Sequence, residues 1–126
     1  MPTPPFLPDY SARDAALALS FRTPNQLHND RRRHDFELDL AAGELRTLPV
    51  FMSEVARSEW YATHSVYAPK YAALKLPGRD WRYERTWIDA LAARTTLERE
   101  VIFEGAMARA VKTLSDALGR PVRVVE

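Results

Sequence analysis

The sequence predicts an α+β fold dominated by helix, with about four helices, one small β-hairpin and a short C-terminal strand; an all-α chain is the alternative. Three observations lead there. An apolar stripe at helical spacing runs from Phe103 to Leu118, strict apolar alternation begins at Phe36, and a valine-rich run closes the chain at 122–125.

Composition sets the frame for these elements. The 126 residues suit a single domain, which at this size buries roughly two thirds of the surface its unfolded chain exposes. An apolar fraction of 46% with 28% charged residues is that of a folding chain rather than a disordered one.

The chain divides into an extended arm over 1–10 and one globular domain over 11–126. Pro2, Pro4, Pro5 and Pro8 lock backbone angles in the arm and deny it a helix, leaving Phe6, Leu7 and Tyr10 as its anchors. Ser11 with Asp14 resembles a capping box and opens a short helix from about 12 to 21, with Ala12, Ala15, Ala16 and Leu19 on one face. Residues 25–34 hold almost no apolar side chain beyond Leu27 and read as a loop or frayed helix.

Phe36, Leu38 and Leu40 alternate with Glu37 and Asp39, the pattern of a strand covered on one side. The turn at Ala41-Ala42-Gly43-Glu44 then lets Leu45–Val50 return as the second arm of a hairpin. Ser53 caps a helix running to about His64, with Met52, Val55, Ala56 and Trp60 inward. Pro69, Pro77 and Gly78 make 65–79 mostly loop, with one helical turn at 69–75.

Asp80 is expected to cap a helix through Arg94, its inner face Trp87, Ile88 and Leu91. Thr95 and Glu98 form a capping box that starts the last helix, whose stripe is Phe103, Met107, Ala110, Val111, Leu114 and Leu118. Ile102 lies off that stripe. Gly119 and Pro121 stop the helix, and 122–125 adds a third strand to the hairpin.

Function is constrained first by exclusion. With no cysteine, disulfides, thiolate nucleophiles and cysteine-held metals are ruled out. Eighteen basic against seventeen acidic side chains leave a formal charge of +1, so no global field draws the chain to nucleic acid or an anionic membrane. The start Met-Pro-Thr-Pro-Pro-Phe lacks a signal peptide's basic and apolar runs, and no segment reaches the roughly 18 apolar residues of a membrane span. A cytoplasmic protein without membrane contact is expected.

Catalytic constellations are sparse. His28, Asp30, His34 and Asp35 carry metal-type side chains but crowd into a stretch without an apolar scaffold, so they read as solvated loop residues and neither metal nor cofactor is assigned. His64 sits at an expected helix end, where its role is structural. The four glycines are scattered, which excludes a phosphate loop. No catalytic residue is named.

Binding residues are more abundant. Residues 51–87 hold eight of the thirteen aromatics, more than one helix face hides. The expected function is therefore that of a non-catalytic interaction subunit or adaptor in a larger assembly. It docks on a larger protein or a second copy through Phe6, Leu7, Tyr10, Trp60, Tyr61, Tyr67, Tyr71 and Trp81. The alternative is a nucleic-acid-binding module using Arg31, Arg32, Arg33, Arg79, Arg82 and Arg85, since arginine beside aromatics meets phosphate and stacked bases. Interleaved acids, Asp30, Asp35, Glu37, Asp80, Glu84 and Asp89, favour local ion pairing instead.

Overall fold

The computed structural model describes residues 9–48 and 52–125, and in them helices flank a mixed sheet. The helices are α1 (Ala12–Ala18), α2 (Pro24–Arg31), α3 (Glu54–Thr63), α4 (Arg85–Ala92), α5 (Thr96–Glu104) and α6 (Ala106–Leu118). The strands are β1 (Asp9–Ser11), β2 (Phe36–Asp39), β3 (Glu44–Thr47), β4 (Val66–Ala68), β5 (Ala73–Lys75), β6 (Arg82–Glu84) and β7 (Arg123–Val125), arranged β1-β6-β5-β4-β2-β3-β7. Each neighbouring pair is antiparallel except β3 with β7, which is parallel.

This architecture corrects the expected one. Among the described residues there are six α-helices and a seven-stranded sheet, in place of about four helices with a small hairpin, and an all-α chain is excluded. The stretch expected to be loop at 25–34 is α2 followed by a 3-10 turn at Arg32–His34, because Thr23 Oγ1 accepts the Gln26 N–H and Pro24 occupies the first turn. Pro69 and Gly78 do interrupt 65–79, but they leave room for the short strands β4 and β5, joined by a 3-10 turn at Pro69–Tyr71. Asp80 caps nothing; β6 intervenes and α4 begins after Glu84 without a side-chain cap.

The first helix ends at Ala18, where Ser20 takes φ +64. The stripe expected to form one long helix from 96 is broken at Gly105 into α5 and α6. Val55, expected inward on the helix from Ser53, is 70% exposed, but the other caps and turns coincide with the structure. Ser11, Ser53 and Thr95 each accept the expected backbone N–H, β2 and β3 form the hairpin, and Gly119 ends α6 at φ +68.

The sheet separates two apolar cores because successive strand residues point to opposite faces. Val66, Ala68, Ala73 and Tyr83 join Ala15, Leu27, Trp81, Ile88 and Leu91 under α1, α2, α4 and the inner sides of α3 and α5. Leu38, Leu45, Tyr67 and Leu74 face α6, which contributes Ala110 and Leu114. Among the described residues no helix is long and apolar enough to cross a membrane.

Candidate functional site

The most unusual feature is a charged cluster inside the first core. His28 and Arg31 stand three residues apart on α2, which puts both on its inner side beside Leu27. Arg31 is 2% exposed, lies 3.7 Å from the centroid of the Trp81 ring, and donates to the Tyr83 hydroxyl at 2.6 Å. Guanidinium only donates, so the imidazole must accept where Arg31 Nη1 meets His28 Nδ1 at 2.5 Å. Burial and the Arg31 charge push the His28 pKa down to about 4.

Asp35 follows the 3-10 turn and is 3% exposed. One carboxylate oxygen accepts the Tyr61 hydroxyl at 2.5 Å and lies 3.8 Å from Arg57; the other lies 3.6 Å from Arg31 Nε. That last contact is an ion pair without a hydrogen bond, leaving Arg31 Nε and Asp35 Oδ1 without a donor–acceptor partner. Burial raises the Asp35 pKa against the pull of Arg31, Tyr61 and Arg57. The expectation that His28 and Asp35 belong to a solvated loop is thus overturned.

A second polar cluster braces the β4–β5 turn. Lys70 Nζ lies 2.9 Å from Asp30 and 4.6 Å from the centroid of Phe103, and Tyr71 donates to the same carboxylate. Burial works to raise the Asp30 pKa, but Tyr71 and Lys70 together hold it below the usual carboxylate range. Trp87 Nε1 donates to the Lys70 carbonyl at 3.0 Å, which ties α4 to that turn. His34 is exposed, and no group of three acidic or histidine side chains among the described residues could hold a metal.

A cleft of about 290 Å³ opens beside the first cluster, lined by Ser58, Tyr61 and Ala62 of α3, Lys75 of β5 and Gly78. Tyr61 belongs to both features, since its hydroxyl reaches Asp35 while its ring stands edge-on to Trp81 at 5.6 Å. Lys75 Nζ donates to the Arg79 carbonyl at 2.6 Å. Its pKa is lowered by burial, with a smaller push from Arg31, while Asp80 acts in the opposite direction.

The binding residues expected from sequence separate in space. Phe6 and Leu7 lie outside the described residues. Tyr10 belongs to β1, donates to Asp89 at 2.7 Å and carries the Arg85 guanidinium over its ring. Tyr67, Tyr71 and Trp81 are buried, and Trp60 stacks on His64 at 4.2 Å. The aromatics are therefore largely spent inside.

The arginines divide in the same way. Arg31 is internal, Arg32 pairs with Glu54, Arg82 pairs with Asp9, and Arg85 covers Tyr10. Arg33 and Arg79 are exposed and enter no ion pair among the described residues.

Among the described residues five large apolar side chains are exposed, Leu17, Val55, Val124, Leu97 and Val101, and only the last two share one helix, a pair missed in the sequence. Leu97 and Val101, one turn apart on α5, are 81% and 69% exposed, beside Glu100 and Glu104. Their spacing of four residues was the available signal, overshadowed by the longer stripe that begins just after them at Phe103. No protein-family model matches the chain, nor does any curated protein or solved structure.

Proposed function

We propose that this chain is a non-catalytic protein-interaction subunit whose contact surface is carried by α5 rather than by the aromatic segment. The observation that supports the reading is the exposed pair Leu97 and Val101 on a helix that is otherwise well anchored. Thr95 and Glu98 cap its start reciprocally, Arg99 donates to the Leu91 carbonyl at 2.7 Å, and Ile102 and Phe103 pack on the first core. A rigid helix thus holds two large apolar side chains in water.

Residues four apart neighbour each other on a helix, so Glu100 and Glu104 form an acidic row alongside Leu97 and Val101. An apolar row edged by acids suits a partner protein with an apolar groove rimmed by basic side chains, the helix-in-groove mode of recognition. A second copy brings the same acidic row to the interface, which disfavours self-pairing.

Cross-linking mass spectrometry on the full chain in its native host's lysate tests the reading. The expected result is a partner cross-linked to α5 that is lost from a Leu97→Glu/Val101→Glu variant with unchanged thermal unfolding. A monomer by light scattering, with no cross-link to α5 in lysate, overturns it. The nucleic-acid reading draws support from Arg33 and Arg79, and a salt titration with single-stranded RNA tests it, because phosphate contacts weaken steeply with ionic strength.

A further inference from the structure

The cleft between α3 and β5 is separate from the α5 surface and has its own chemistry. Of its lining residues, Lys75 brings a full charge. An ammonium has three N–H donors, and the one bond seen here goes to the Arg79 carbonyl, so two donors have no protein acceptor among the described residues. Asp80 influences Lys75 without pairing with it, and the buried Asp35 is occupied by Tyr61, Arg57 and Arg31.

Tyr61 also lines the cleft, and its ring is held in place. Its hydroxyl is fixed on Asp35 and its face is set by the edge-on Trp81, whose own ring carries Arg31. A flat group entering beside Tyr61 meets a surface with little side-chain freedom left to lose, which favours binding. On the loop side Gly78 has φ +75 and nothing within 4 Å of the place a Cβ would take, so the mouth stays open. The volume of about 290 Å³ is near the small end of ligand pockets.

We propose that this cleft binds a small organic anion, a carboxylate or phosphate carried on a flat apolar body, with Lys75 holding the anionic group and Tyr61 the body. The charge balance supports this class. Arg31 and Arg57 both lie against Asp35, the carboxylate that Tyr61 of the cleft holds, and Arg31 repels the Lys75 charge while Asp80 favours it. An incoming anion offsets the burial and the Arg31 repulsion that disfavour the Lys75 charge.

Benzoate and phenyl phosphate are suitable probes, titrated into the full chain and followed by amide chemical shifts. Acetate and inorganic phosphate test the body; benzylamine tests the charge. The expected result is saturable shifts at Ser58, Tyr61, Ala62, Lys75 and Gly78, with at least about tenfold weaker binding of acetate, inorganic phosphate and benzylamine.

Lys75→Met is expected to weaken the better aromatic anion by about tenfold while Lys75→Arg retains it, and Ser58→Trp to block the cleft. Whether benzoate or phenyl phosphate binds more tightly identifies the head group. Absence of saturable shifts at millimolar probe, equal binding of benzylamine, or an unaffected Lys75→Met variant overturns the proposal.

Discussion

Arg31 and Asp35 are each almost wholly removed from water, and the rest of the cluster makes that tolerable. A buried charge left alone costs several kcal/mol, so each member depends on the other and on Trp81, Tyr83, Tyr61 and Arg57. Arg31→Met strands Asp35, and Asp35→Leu strands Arg31; each is expected to lose about 3–5 kcal/mol in urea unfolding. The double variant removes both charges and is expected to lose clearly less than the sum, a coupling that a double-mutant cycle measures directly.

His28 adds a pH dependence. Its folded pKa is about 4 against an ordinary 6.5, so as pH falls through this window the unfolded chain takes up a proton that the folded chain refuses. Stability is therefore lost as pH drops from 6.5 towards 4. The lowered Asp30 pKa acts in the same direction at lower pH, while the raised Asp35 pKa opposes it. Between pH 7 and 5 the wild type is expected to lose about 2 kcal/mol more than a His28→Asn variant, read from urea midpoints at each pH.

At the scale of elements, local chemistry decided where helices begin and long-range pairing decided which segments became strands. Ser11, Ser53 and Thr95 place their hydroxyls on the first free N–H groups, a rule that operates within four residues. β4, β5 and β6 are three residues long and carry no alternation long enough to detect; they exist because each is paired on both sides. The break at Gly105 separates α5, which serves the first core, from α6, which covers the second.

Gly43 shows how one turn links two elements. It sits in the β2–β3 turn at φ +69, its carbonyl accepts the Arg123 N–H at 2.9 Å, and a Cβ there would come within 2.8 Å of the Pro121 carbonyl oxygen. Gly43→Ala is expected to lose at least about 2 kcal/mol, since backbone strain adds to the clash. Amide exchange at Arg123 and Val125 should accelerate before that of β2.

Over the whole molecule, the central strands make the two cores one unit. Val66 and Ala68 serve the first core while Tyr67 between them serves the second, and Ala73 and Leu74 divide in the same way. Loss of packing on one face therefore loosens strands the other face needs. Leu114→Ala in α6 is expected to lose about 2–5 kcal/mol. The loss should appear equally in the fluorescence of Trp60, Trp81 and Trp87, all on the first core, and in amide exchange of α6. Separate transitions would show that the cores unfold independently.

By itself the sequence determined what depends on near neighbours: the caps of α1, α3 and α5, the glycine stop after α6, the 36–47 hairpin and the valine strand beside it. These follow from hydrogen bonds and periodicities spanning a few residues. Only the tertiary structure decided the four strands that extend the hairpin side into a seven-stranded sheet, the burial of Arg31 against a tyrosine 52 positions away, and the internal use of most aromatics. A buried charge and an exposed one look alike along the chain, because the groups that compensate the loss of water arrive from elements the fold brings together.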